Sequence, residues 1–190
     1  RPRRLHFAHE KNSPDCPIKT GSHYSQRAIE RMKWNGQKES EKHKALKETI
    51  ANSLQMDRSF SQIKLEERMT ARKDLNKWRR PDVSAVRHDG RTFIFEIQLS
   101  TTFLEVILAR TRFYKEEGKF LCWIFDSFST RPEEQKFTDK DILYSNNCNA
   151  LVANEETLGD SIKNGELTLE CNYAEPKKPR CLKDPIYYTW

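Results

Sequence analysis

Residues 80–100 read RPDVSAVRHDGRTFIFEIQLS, which is two β-prone runs joined by an Asp-Gly pair. An Asp-Gly pair in this setting is the strongest short-range signal for a β-hairpin. Side chains alternate between the two faces of a strand, so the residues of the second run separate into two sets. One face carries Phe93, Phe95, Ile97 and Leu99, and the other carries Ile94, Glu96, Gln98 and Ser100. The hairpin also brings Asp82 to the same end of the strand pair as Glu96 and Gln98.

The predicted hairpin places two carboxylates, Asp82 and Glu96, a few ångströms apart on adjacent strands, with the amide of Gln98 beside them. Oxygen donors of this kind are the ligands that hard divalent cations prefer. The pattern therefore indicates a metal site. A simpler interpretation stays open at this point, in which these polar residues form the solvent-facing side of a half-buried strand.

The residues after the hairpin predict a helix and then a buried strand. Residues 101–102 are both Thr and can cap a helix, with Glu105 as the capping-box partner. Gly118 is a suitable C-terminal stop for that helix. Residues 120–125, FLCWIF, are almost wholly apolar. Such a run is typical of a strand covered on both faces, usually parallel to the strand before it and reached by a right-handed crossover.

The residues before the hairpin predict a helix over 37–54 and a first strand over 61–69. At about 100° per residue, one face of the helix collects an inward-facing stripe. That stripe contains Leu46, Ile50 and Ser53, with Leu54 at its margin. Glu39 and His43 fall near the same face, and buried charge needs a partner or a metal ion. The alternative is that this end of the helix extends past the sheet into water.

Three pieces of the chain together resemble a known family. They are HFAH at 6–9, ESEKHKALK at 39–47, and RPDV at 80–83 followed by EIQLS at 96–100. The chain over about residues 5–126 resembles the PD-(D/E)XK nuclease superfamily in its E-x-Q variant, and within it the competence protein CoiA-like family. The resemblance implies an α/β (α+β) protein with a restriction-endonuclease-like core. That core is a central mixed sheet flanked by helices in the order αβββαβ.

The resemblance also implies roles for particular residues. Asp82, Glu96 and the backbone carbonyl of Ile97 would bind one or two Mg²⁺ or Mn²⁺ ions. Glu39 would supplement the metal site, and His43 would be a further ligand or a phosphate contact. A bound divalent ion supplies a nucleophile and neutralises charge on a phosphate. The implied activity is metal-dependent hydrolysis of phosphodiester bonds in DNA.

Gln98 departs from the superfamily pattern, which has Lys at this position. Glutamine can orient water by hydrogen bonding, but it carries no positive charge and takes up no proton at neutral pH. Either the metal ion suffices, or the cation has moved elsewhere, with Lys47 as the candidate. A third interpretation is that catalysis has been lost. The protein would then be a catalytically inactive nucleic-acid-binding module on the same fold.

The charge distribution favours contact with nucleic acid. Lys and Arg outnumber Asp and Glu by 34 to 28, for a formal net charge of +6. Basic residues crowd the segment before Asp82, with Trp78 among them, which suits contact with a phosphate backbone. The candidate nucleic-acid-binding residues are Arg72, Lys73, Lys77, Arg79 and Arg80. The alternative is a solvated connector between strands.

The N-terminal segment contains a possible zinc site. Its candidate ligands are His6, His9, Cys16 and His23, although their spacing matches no standard zinc finger. The alternative is a packed loop with solvated histidines. Five scattered cysteines argue against a disulfide scaffold and favour a reducing cytoplasm.

We divide the chain into three parts. Residues 1–36 form the His- and Cys-bearing segment with a short helix, 37–127 the nuclease-like core, and 128–190 a C-terminal β extension of unknown role. No stretch is apolar enough to span a membrane and no secretory signal is visible, so we expect no membrane partner. The chain begins without Met, and we interpret it as a fragment.

Overall fold

A computed structural model of the protein describes residues 40–176 and 188–189. The chain divides into two compact units, residues 1–44 and 45–190. The described helices are α1 Glu41–Met56, α2 Leu104–Glu116, α3 Phe137–Ser145 and α4 Glu155–Asn164. The first five described strands are β1 Phe60–Leu65, β2 Met69–Thr70, β3 Trp78–Arg79, β4 Val83–Arg87 and β5 Thr92–Ile97. The later ones are β6 Phe120–Phe125, β7 Asn149–Val152, β8 Glu170–Tyr173, β9 Glu175–Pro176 and β10 Tyr188–Thr189.

The central sheet has six strands in the order β1-β4-β5-β6-β7-β8. Strand β4 is antiparallel to both β1 and β5. Strands β5, β6 and β7 run parallel to one another, and β8 returns antiparallel to β7. The prediction of a mixed α/β protein with a mixed central sheet is confirmed at this level.

The predicted hairpin forms between β4 and β5. Its turn contains Gly90 at φ +80°, a left-handed backbone conformation that glycine adopts without steric cost. Val86 pairs with Thr92 and Val83 with Phe95. Continuing this register by one residue sets Asp82 beside Glu96.

The two faces of the sheet are covered by different helices. On one face, α1 packs through Leu46, Ile50, Ala51 and Leu54 against Val83, Ala85, Phe95, Ile97 and Ile124. On the other face, α2 and α3 pack in two clusters. The first contains Ile107, Ile142 and Leu143 with the sheet residues Trp123 and Phe125. The second contains Phe113 and Tyr114 of α2 with the sheet residue Ile94. The predicted division of the β5 side chains between two faces is therefore confirmed. The inward stripe of α1 is also confirmed, and Glu41, Lys44 and Glu48 are exposed.

Two local predictions were wrong at their boundaries. Strand β1 ends at Leu65, because Glu66 has φ +47° and turns the chain, so Met69 belongs to the separate β2–β3 hairpin. Helix α2 is not capped by a threonine side chain, since its N-cap is Phe103. The Thr102 backbone N–H instead donates to Thr138 Oγ1 at 3.0 Å, which joins the start of α2 to α3.

Residues beyond 127 contribute to the same sheet. Strands β7 and β8 extend it on the side of β6, and helices α3 and α4 cover its two faces. Across residues 40–176, none of the helices is long and apolar enough to cross a membrane.

Candidate functional site

Glu96 lies on β5 and is 1% exposed, so the solvent-facing interpretation of this strand face is wrong for it. Its side chain points towards α2. The Tyr114 hydroxyl donates to Oε1 at 2.7 Å, and the Arg110 guanidinium donates to Oε2. Arg110 and Tyr114 are one helical turn apart, so they present their polar groups on one face of α2. The buried charge of Glu96 is thus compensated by a cation and a hydroxyl.

The Tyr114 phenol stays protonated in this environment. Burial, and then the charge of Glu96, raise the pKa of Tyr114 far above its usual value. The hydroxyl is therefore a fixed donor to the carboxylate. Its ring also packs edge-on against Phe113, with the two centroids 5.4 Å apart.

Asp82 lies just before β4 and is held against the end of β5. Its Oδ2 accepts a hydrogen bond of 2.7 Å from the backbone N–H of Ile97. Its own backbone carbonyl accepts from the Glu66 N–H at 3.1 Å, which fixes the segment on the side of β1 as well. The structure thus brings together the two carboxylate-bearing residues that the sequence placed in one site.

Gln98 follows the last residue of β5 and is half-buried. Its backbone N–H donates to the carbonyl of Ile124 at 2.8 Å, continuing the parallel ladder for one residue. Its side-chain amide donates to the backbone carbonyl of Ser100. Gln98 is two residues beyond Glu96 in sequence, and its side chain carries no charge.

Lys47 is buried and pairs with Glu66, its Nζ lying 2.8 Å from Oε1. Helix α1, which carries Lys47, packs on the face of the sheet opposite to the one from which Glu96 projects. Among the described residues, Glu96 contacts the cation Arg110, which the sequence did not indicate. The i, i+4 spacing shows that Arg110 and Tyr114 share a helix face, but it does not identify Glu96 as their partner.

Other predicted residues fall in different places. His43 is half-buried in the first turn of α1, where its backbone N–H donates to Ser40 Oγ at 3.1 Å. Glu39 lies outside the described residues. The candidate zinc ligands His6, His9, Cys16 and His23 also lie outside them.

The predicted basic segment contains the β2–β3 hairpin. The Arg68 guanidinium lies over the Trp78 ring, 4.9 Å from its centroid, and that of Arg79 lies over the Phe113 ring at 5.5 Å. Arg72 is bound to Glu117 at the end of α2, with Nε 3.3 Å from Oε2. The exposed basic side chains of this segment include Lys73, Lys77 and Arg80.

The donors at the carboxylate pair suit Mg²⁺ or Mn²⁺ in chemistry. Mg²⁺ takes one or two carboxylates and keeps several waters, and each carboxylate has about four acceptor positions. Asp82, Glu96 and the carbonyl of Ile97 are oxygen donors of this kind. Over residues 40–176, no group of three or more His, Cys, Asp or Glu side chains is arranged to hold a metal ion. A metal at Glu96 would also share that carboxylate with Arg110 or displace it.

The fold and site define a mixed α/β protein with two carboxylates held together on neighbouring antiparallel strands. Residues 27–179 match the model of a family described as a domain of unknown function, DUF6035, and the chain belongs to that family. Neither the curated proteins nor the solved structures contain a match to this chain.

Proposed function

We propose that the protein is a metal-dependent nuclease that hydrolyses phosphodiester bonds in DNA. The observation that carries the proposal is the pairing of β4 with β5, which sets Asp82 beside Glu96 at one end of the sheet. The order α1-β1-β4-β5-α2-β6, with the β2–β3 hairpin inserted, supports a restriction-endonuclease-like core.

Each residue of the site has a part in this proposal. Asp82, Glu96 and the Ile97 carbonyl would hold the Mg²⁺ or Mn²⁺ ion, which would supply the nucleophile and neutralise phosphate charge. The Ile97 N–H orients Asp82, and Tyr114 orients Glu96. Gln98 positions water and phosphate by hydrogen bonding.

The β2–β3 hairpin supports DNA as the substrate. Lys73, Lys77 and Arg80 are exposed cations on a segment that leads directly into Asp82. Phosphate contacts of this kind provide sequence-independent affinity. Trp78 adds an aromatic surface, which Arg68 partly covers.

Cleavage assays on isosteric variants test the proposal. Purified protein is incubated with single- and double-stranded DNA in Mg²⁺, in Mn²⁺ and in chelator. We expect metal-dependent cleavage that Asp82→Asn and Glu96→Gln each abolish, because an amide is a much poorer metal ligand than a carboxylate. The matched control is Glu105→Gln, an exposed carboxylate on the first turn of α2, which should cleave normally. Cleavage that survives both site substitutions contradicts the proposal.

A second function, DNA binding without catalysis, is favoured by one specific observation. Both oxygens of Glu96 accept hydrogen bonds from protein groups, and the Gln98 amide is bonded to Ser100. Hydrogen bonds within the protein therefore satisfy these polar groups without a metal ion. Calorimetric titration with Mn²⁺ distinguishes the two functions. Micromolar to millimolar binding that Asp82→Asn removes supports the nuclease, and salt-sensitive DNA binding without any Mn²⁺ binding supports the inactive module.

A further inference from the structure

The negative charge of the carboxylate pair raises the question of how a substrate phosphate approaches it. A phosphodiester is an anion, and two carboxylates repel it unless cations offset their charge. Gln98 contributes none, and Lys47 pairs with Glu66. Arg110 is the cation whose guanidinium contacts Glu96 directly.

Arg110 also extends from the buried carboxylate towards solvent. Its side chain is 33% exposed, whereas that of Glu96 is 1% exposed. A guanidinium is planar and has five N–H donors, a geometry that matches carboxylate and phosphate oxygens equally well. It keeps its charge at every relevant pH, so it can bind an anion but cannot act as a general base.

We propose that Arg110 binds the scissile phosphate of the DNA next to the Asp82–Glu96 pair. In the metal-free protein, its charge is engaged with Glu96. With a divalent ion bound, Glu96 would hold Arg110 less strongly, and the guanidinium would be able to contact the phosphate. This inference rests on the proposed function, and it makes the contribution of Arg110 to DNA affinity depend on the metal ion.

DNA binding by three full-chain variants tests this role: Arg110→Gln, Arg110→Lys and Arg112→Gln. Arg112 is an exposed arginine on the same helix and is the matched control. Affinity for a short duplex oligonucleotide is measured by fluorescence anisotropy, in chelator and in calcium, a hard divalent cation that, like Mg²⁺, binds oxygen ligands. We expect Arg110→Gln to lower the affinity in calcium by about tenfold or more, the scale of one charge-assisted hydrogen bond. The loss in chelator should be much smaller, and Arg112→Gln should behave like the parent.

Equal affinities of Arg110→Gln and Arg112→Gln in calcium would overturn the assignment. A loss of the same size in chelator would also overturn it, because a merely structural role predicts no dependence on metal. If Arg110→Gln does not fold, Arg110→Lys still tests the point, because lysine keeps the charge for Glu96 but lacks the planar fork. For Arg110→Lys we expect a partial loss of DNA affinity that depends on calcium. Unchanged affinity of this variant contradicts the proposal.

Failure of the nuclease proposal and failure of the Arg110 proposal give different results. Metal-dependent binding through Arg110 without cleavage by the parent protein in Mg²⁺ or Mn²⁺ would reject catalysis and keep the phosphate contact. Cleavage by the parent with no effect of Arg110→Gln on rate or affinity would reject Arg110 alone.

Discussion

Glu96 carries its charge in an almost fully buried position, which is unusual unless the charge is paired. Removing one partner of a buried ion pair typically costs about 3–5 kcal/mol, because the remaining charge is left in a medium of low polarity. Arg110 and Tyr114 on one helix face prevent that cost. The same contacts hold the Glu96 carboxylate in one orientation, which a binding site requires.

The hydrogen bond from Tyr114 to Glu96 should contribute measurably to stability. Tyr114→Phe keeps the ring and its packing on Phe113 but removes the donor to Oε1. We expect the free energy of unfolding to fall by about 1.5–3 kcal/mol, the usual contribution of a hydrogen bond to a charged group. Urea-induced unfolding followed by circular dichroism measures the change.

The control for this substitution is Tyr173→Phe. Tyr173 is an exposed residue of strand β8, so the change should stay within about 0.5 kcal/mol. Equal effects of the two substitutions would show that the contact between Tyr114 and Glu96 adds nothing to stability.

The sequence predicted that Asp82 and Glu96 lie together, but it did not predict that Arg110 neutralises the charge of Glu96. Asp82 and Glu96 were placed together because strand alternation and a tight turn fix their positions locally. Arg110 was missed because its approach to Glu96 depends on how α2 packs across the sheet. Lys47 was a candidate because it lies on the predicted upstream helix, and that position does not specify which carboxylate a lysine reaches.

The β2–β3 hairpin is a small element with a defined attachment to the rest of the protein. Glu117 is buried and accepts from both the backbone N–H and the guanidinium of Arg72. This contact ties the hairpin to the end of α2, and the Arg79 guanidinium over Phe113 adds a second attachment. The hairpin is therefore a supported platform for its exposed cations.

The exposed cations of the hairpin should determine the salt dependence of DNA binding. We expect the triple variant Lys73→Gln/Lys77→Gln/Arg80→Gln to reduce the slope of log affinity against log salt. Each lost phosphate contact lowers that slope by about 0.9 on duplex DNA. Anisotropy titrations across a range of NaCl concentrations give the slopes.

A control variant that loses the same number of charges separates the effect of their position from the effect of net charge. Arg58→Gln/Lys115→Gln/Lys163→Gln removes the same three charges from exposed sites outside the hairpin. If the two triple variants lose the same amount of affinity, net charge rather than the hairpin determines binding.

Elements with a strong local pattern were predicted well. The turn at Gly90, the apolar run of β6 and the inward stripe of α1 are each encoded within a few residues. The β2–β3 hairpin was not predicted, because its strands have two residues each and are fixed by Arg72 and Glu117 far apart in sequence. Helices α3 and α4 were also missed.

The whole sheet depends on residues that the sequence argument assigned to an extension. Strand β7 pairs with β6 through Ile124 with Leu151 and Phe125 with Val152. Helix α3 adds Ile142 and Leu143 to the cluster around Trp123 and Phe125. The described residues 128–176 thus complete the core on both faces of the sheet, with α3 on the side of α2 and α4 on the side of α1.

A chain ending at residue 127 should therefore fail to fold into a stable protein. Its β6 would become an exposed, apolar edge strand without the cover that β7 and α3 provide. We expect poorly dispersed ¹H–¹⁵N spectra and no cooperative thermal transition. A chain ending at residue 174 keeps all six strands and should give a dispersed spectrum. A well-folded chain ending at 127 would show that the second half of the sheet is dispensable.

The strands of the central sheet stand side by side in the same order in which they occur along the chain. Each new strand therefore pairs with one that has already been synthesised, and no other strand of this sheet intervenes between the two partners in sequence. Folding can then proceed from the N-terminal strands as the chain leaves the ribosome. The β4–β5 hairpin would bring Asp82 and Glu96 together while both are still hydrated, and Glu96 would lose its water only when α2 docks with Arg110. The order of synthesis places Glu96 before Arg110. In this order of folding, the charge of Glu96 would be buried only once Arg110 is available to pair with it.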